Sequence, residues 1–189
     1  MTDNPLQWLE DYFNLYRESL FDREAMAQLV SVRDLFRETA ARNGRVFFAG
    51  NGGSAAIASH LAIDLTKSAG VRAVCFNEPS QITCLANDYG YERWVEKAIE
   101  MQAVAGDSVV LISSSGKSPN IVNAAKRSRE LGLPLVTLSG FSPDNPLRQL
   151  GQINLYVDSR AYNIVENTHQ VWLLAVVDLL IGKSEYPAS

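Results

Sequence analysis

The chain has 189 residues, 47% apolar and 20% charged, a balance too apolar for a disordered chain and too charged for a membrane bundle. Its 17 Lys and Arg against 21 Asp and Glu leave a net charge of −4, which argues against a nucleic-acid partner. Two cysteines make no disulfide scaffold, and the two histidines, His60 and His169, exclude any centre built from several imidazoles.

One domain over 1–189 is the expectation at this length, with a helical segment over 1–43 and an α/β core over 44–183. The start, Met1 to Tyr16, carries acidic residues and no basic stretch followed by an apolar one, so no targeting signal is read and a cytoplasmic location is expected. The longest apolar stretch, Val171 to Ile181, is interrupted by Asp178 and reads as a buried helix rather than a membrane span.

In chain order, Leu6, Leu9, Tyr12, Phe13, Tyr16 and Leu20 recur at helical spacing. Met26, Leu29, Val32, Leu35 and Phe36 form a second such run, with Asp22 placed to cap it. Two amphipathic helices must bury their stripes on the domain or on another subunit. After Gly44, β-rich apolar runs appear at Arg45–Ala49, Val71–Phe76, Ser108–Ile112, Leu135–Leu138 and Ile153–Val157. Helical segments are expected between them at Ser54–Thr66, Tyr91–Met101, Asn120–Leu131 and Leu147–Leu150, and after them at Ala161–Ile181. This alternation predicts a doubly wound, five-stranded parallel sheet flanked by helices and preceded by two N-terminal helices. The tail, 183–189, is expected to fray.

In such sheets ligands bind beyond the carboxyl ends of the strands. Gly50-Asn51-Gly52-Gly53-Ser54 follows the first strand and opens a helix. It reads as an anion-binding turn or as a tight connection with Ser54 as N-cap. It matches neither nucleotide-binding glycine pattern, so no nucleotide cofactor is expected. Ser113-Ser114-Ser115-Gly116-Lys117-Ser118 follows the third strand, and Pro119 suits a helix start. Four hydroxyls exceed what a helix cap requires and predict a phosphate site.

His60 and Asp64, four residues apart on a helix, share a face and suit a metal, an acid–base pair or a plain surface pair. Glu166 and His169, three apart on the last helix, are read as a second polar pair that needs a partner, and Tyr162, Val165 and Trp172 as signs that this helix is largely buried. Leu85 to Tyr91 reads as a turn in which Asp88 caps a helix or meets a sugar hydroxyl. Cys75 and Cys84 read as buried, apolar-like residues.

Together GNGGSAAIASHLAIDLT (Gly50–Thr66), CLANDYGYE (Cys84–Glu92), ISSSGKSPNI (Ile112–Ile121) and YNIVENTH (Tyr162–His169) resemble the SIS (sugar isomerase) domain family in its phosphoheptose isomerase branch. The resemblance spans nearly the whole chain. It implies a homotetramer with sites between subunits. It also implies isomerisation of sedoheptulose 7-phosphate to a D-glycero-manno-heptose 7-phosphate, an early step toward lipopolysaccharide or S-layer heptose. By this resemblance Asn51, Gly52, Gly53 and Ser54 meet the substrate, Asn87 and Asp88 bind sugar hydroxyls, and Ser113, Ser114, Ser115 and Ser118 hold the phosphate.

His60 falls at a family zinc-ligand position, Asp64 where the family has a glutamate that is ligand and base, and Glu166 where it has a zinc-binding glutamine. The implied catalytic and metal set is therefore His60, Asp64 and Glu166, with zinc as the implied metal. Leu174 stands where the family has a further histidine, and His169 matches a non-ligand one. Two other functions fit the same residues: a sugar-phosphate sensor without turnover, and a tetrameric scaffold such as a replication-initiator-binding protein.

Overall fold

The computed structural model describes residues 4–185; residues 186–189, part of the tail expected to fray, lie outside them. Three helices open the described chain: α1 (Pro5–Asn14), α2 (Arg17–Leu20) and α3 (Arg23–Ala41). The first of the two expected helices is thus broken at Leu15 and Tyr16. Asn4 caps α1, accepting from the backbone N–H of Gln7, and Asp22 caps α3, accepting from that of Ala25 at 2.7 Å. α3 buries Ala25, Leu29, Val32, Phe36 and Thr39, a stripe at helical spacing. α1 buries no side chain; Leu6, Leu9 and Phe13 stay exposed. It meets α8 through a polar contact, Asn163 donating to the Tyr12 hydroxyl, and just beyond it Asn167 donates to the hydroxyl of Tyr16.

The core then runs β1 (Val46–Gly50), α4 (Gly53–Lys67), β2 (Ala73–Cys75), α5 (Pro79–Tyr89), α6 (Trp94–Gln102), β3 (Ser108–Ile112), α7 (Pro119–Glu130), β4 (Leu135–Ser139), β5 (Ile153–Tyr156) and α8 (Tyr162–Ile181). The five strands are all parallel, in the order β2-β1-β3-β4-β5. Helices cover both faces, as the continuous apolar runs of β1, β3 and β4 require. Val46 and Phe48 point into one half of the core, with Phe36, Leu61 and Trp172 of α3, α4 and α8. Phe47 and Ala49 point into the other, with Trp94, Ile99 and Ile121 of α6 and α7.

Four local expectations are corrected. The second strand is shorter than Val71–Phe76, because β2 is an edge strand that pairs only with β1. Leu147–Leu150 forms a turn, not a helix: Leu150 N–H closes on the Leu147 carbonyl at 3.0 Å, an i to i+3 bond. The segment containing Asn87 and Asp88 is the last turn of α5, not a loop. Glu78 caps that helix, Pro79 starts it, and Leu85 is its only buried residue, with Ile82 and Ala86 packed beside it at helical spacing. Gly90, at φ 87°, ends it. Cys84 is exposed on α5, and Cys75 is half-buried beside Ser59 and Asn77.

α8 is, at 20 residues, long and apolar enough to cross a membrane by length and composition. Here it packs on α3 and α4, burying Val165, Trp172, Leu173 and Val176.

Candidate functional site

The strand order reverses direction between β1 and β3: the chain leaves β1 for β2 on one side and returns to β3 on the other. A crevice forms outside the carboxyl ends of strands at such a point, because their following loops diverge. Here those loops are Asn51–Gly53 after β1 and Ser113–Ser118 after β3. They line one cleft of about 260 Å³, near the lower end of the usual 300–1,000 Å³ of small-molecule sites.

Asn51, Gly52, Gly53 and Ser54 form one wall of the cleft. Gly52, not Ser54, is the N-cap of α4; its φ of 55° with ψ of −122° is open only to glycine. Ser54 lies in the first turn of the helix and is buried. Ser113, Ser114, Ser115 and Ser118 form the opposite wall. Ser118 precedes α7 but makes no side-chain cap. Its hydroxyl bonds that of Ser113 at 3.1 Å, and the hydroxyl of Ser115 accepts from the Lys117 backbone N–H. The four serines thus share one wall of the cleft, with Ser113 and Ser118 in direct hydroxyl contact.

α8 supplies the remaining wall through Tyr162 and Glu166. Glu166 accepts from the Ser114 hydroxyl at 3.4 Å. Its carboxylate also rests against Gly53, where a Cβ would collide with both of its oxygens. Glu166 is the only carboxylate in the cleft lining among the described residues. Tyr162, expected on a buried helix, is exposed, lines the cleft, and packs edge-on to Phe141 with ring centroids 4.9 Å apart. Its signal in the sequence was its place at the first turn of α8, where α8 leaves the carboxyl edge of the sheet.

The other expected site residues lie elsewhere. Asn87 and Asp88 are exposed on α5, hydrogen-bonded to each other at 2.9 Å, and do not line the cleft. His60 and Asp64 form a pair on α4, with Nε2 to Oδ2 3.1 Å apart. Gln170 of α8 lies 3.0 Å from His60 Nδ1. Among the described residues no three His, Cys, Asp or Glu side chains come together to hold a metal ion. The expected ligand set of His60, Asp64 and Glu166 is therefore not gathered within the chain, and zinc does not fit these residues as they stand. The reason is helical: Glu166 faces Gly53, and His60 lies two turns further along α4, roughly 10 Å along the axis.

His169 does not act with Glu166. It is fully buried and points toward the sheet, where Nε2 is 3.2 Å from the Ser139 carbonyl oxygen. Burial pushes its pKa down to about 4, against a smaller opposing effect of the Ser139 bond, so it is neutral near pH 7.

The family model of the SIS domain matches residues 10–140. A phosphoheptose isomerase of Mycobacterium tuberculosis is 37% identical over 139 residues, 70% of this chain and 70% of that one. A phosphoheptose isomerase of Helicobacter pylori is 31% identical over 149 residues, 76% of this chain and 77% of that one. The structure of a phosphoheptose isomerase from Neisseria gonorrhoeae superposes with a TM-score of 0.84 at 25% identity, over 93% of this chain and 96% of that one.

Proposed function

The chain belongs to the SIS domain family, and on that premise we propose that it interconverts an aldose and a ketose phosphate, with sedoheptulose 7-phosphate and a D-glycero-manno-heptose 7-phosphate as the pair. One observation carries this reading. The switch-point cleft holds four serine hydroxyls and a single carboxylate together. The hydroxyls anchor the phosphate, and binding energy at that remote group fixes the sugar carbons for reaction.

Glu166 then does the proton transfer. It takes the proton from C1 of the ketose, and the C2 carbonyl oxygen gains a proton to give an enediol. Glu166 returns its proton to C2, O1 loses its own, and the carbonyl now lies at C1, with no net gain or loss of protons. His60 and Asp64, the other expected catalytic residues, lie off the cleft, and no step is assigned to them. We include in the proposal a homotetramer, supported by the exposed apolar residues of α1, and a cytoplasmic location.

The test is turnover. Purified protein, with and without added zinc, is incubated with sedoheptulose 7-phosphate in D2O. The reading expects aldose product carrying deuterium at C2; no turnover in either condition sinks it. The placement of His60 and Asp64 outside the cleft favours a second reading, a sugar-phosphate sensor, which predicts saturable binding without product.

A further inference from the structure

Asn51 is the cleft residue whose side chain is most tightly held. Its Oδ1 accepts from Asn120 Nδ2 at 2.9 Å and from the Tyr91 hydroxyl at 3.1 Å. Its Nδ2 donates to Asn120 Oδ1 at 3.0 Å. An amide oxygen has two lone pairs and an amide nitrogen two hydrogens. Both lone pairs are taken and one hydrogen is committed, so a single N–H remains for the cleft that Asn51 lines.

The two partners come from separate parts of the chain. Asn120 is in the first turn of α7 and is buried. Tyr91 is on the turn between α5 and α6 and is exposed. Neither lines the cleft, so neither touches a ligand there; they act through Asn51.

We infer that Tyr91 and Asn120 are positioning residues that hold the Asn51 amide with its oxygen turned inward, so that it meets the bound sugar only as a hydrogen-bond donor. This rests on the sugar-phosphate reading of the cleft. A donor fixed in advance suits an oxygen that gains negative charge, as the carbonyl oxygen does on the way to an enediol. The tie from Tyr91 also connects the turn after α5 to the turn after β1, two segments far apart in sequence.

Tyr91→Phe tests the inference, because it removes one hydroxyl from an exposed ring and leaves the packing. Without ligand, the side-chain amide resonances of Asn51 in the NMR spectrum of the full chain are expected to shift. Affinity for sedoheptulose 7-phosphate is expected to fall about three- to tenfold, the worth of one neutral hydrogen bond, while affinity for inorganic phosphate stays within about twofold. In an Asn51→Ala background, Tyr91→Phe should add nothing, since its effect passes through Asn51.

Asn51→Asp keeps the acceptor for both donors but has no N–H to offer; its charge weakens both ligands, and it should lose more affinity for sedoheptulose 7-phosphate than for inorganic phosphate. The inference is overturned by unchanged amide resonances, by equal weakening of both ligands, by an additive effect in the Asn51→Ala background, or by full sugar affinity of Asn51→Asp. A wild-type chain that binds sugar phosphate without turnover overturns the isomerase reading alone. One that binds neither ligand overturns both.

Discussion

Glu166 rests its carboxylate on the backbone of Gly53, so closely that any side chain at position 53 would strike it. This contact joins α8 to the first turn of α4 and sets a carboxyl group beside the serine wall, where Ser114 donates to it. A carboxylate next to an anion site opposes phosphate binding, so its presence is better explained by chemistry than by affinity.

Glu166→Gln removes the charge and the base together while keeping the shape. Turnover of sedoheptulose 7-phosphate should fall by about 10²–10⁴, the usual worth of a general base. The dissociation constant should stay equal or tighten. Asp64→Asn, off the cleft, should cost less than tenfold by the same scale. Steady-state rates and calorimetric titration of both variants check this, and a larger loss in Asp64→Asn would move the base to α4.

Gly53→Ala separates activity from stability. Alanine improves helix propensity over glycine by up to about 1 kcal/mol, so the thermal midpoint should hold or rise. The new Cβ displaces the Glu166 carboxylate, and kcat should fall at least about tenfold, in keeping with the sensitivity of a base to misplacement. Full activity in this variant would show that the resting position of Glu166 is irrelevant.

His169 predicts how stability depends on pH. Its folded pKa is held down to about 4 by burial, below the roughly 6.5 of an unfolded chain. The stability this contributes is complete above about 6.5 and is lost as pH falls toward 4, by at most about 1.4 kcal/mol per pH unit. His169→Gln retains a donor for the Ser139 carbonyl and removes the titration. Denaturant unfolding between pH 7 and 4 should therefore fall less steeply for the variant than for the wild type; parallel curves would contradict the assignment.

The apolar residues of α1 predict assembly. Leu6, Leu9 and Phe13 are exposed although their helix is well formed, and such a stripe gains from cover. Sedimentation equilibrium should give four times the chain mass. Leu9→Glu with Phe13→Glu should shift it to smaller species without changing the helical circular dichroism of the core. A wild-type monomer at micromolar concentration would remove the tetramer from the proposal.

Much of the candidate site was legible from local chemistry. A loop with four serines and a glycine-rich turn each follow an apolar strand, and both line the cleft. The role proposed for them rests on composition, since hydroxyls and exposed backbone suit a phosphate. Position along helices was less legible. Asn87 and Asp88 read as a loop because Asn-Asp followed by Gly90 is a turn signal, while the inward face of α5 is only Ile82, Leu85 and Ala86. Tyr91 carried no signal, because its partner Asn51 lies 40 residues earlier.

The sequence by itself determined the parallel sheet, the two loops and the kinds of group they carry. Period, turn residues and side-chain chemistry are local properties and survive without knowledge of contacts. The tertiary structure alone decided which carboxylate meets the serines. In the sequence Asp64 and Glu166 are both candidates for the base, with His60 one turn from Asp64. The strand order opens a crevice between β1 and β3, and the packing of α8 on α4 turns Glu166 into it at Gly53. The same packing places His60 against Gln170, two helical turns away.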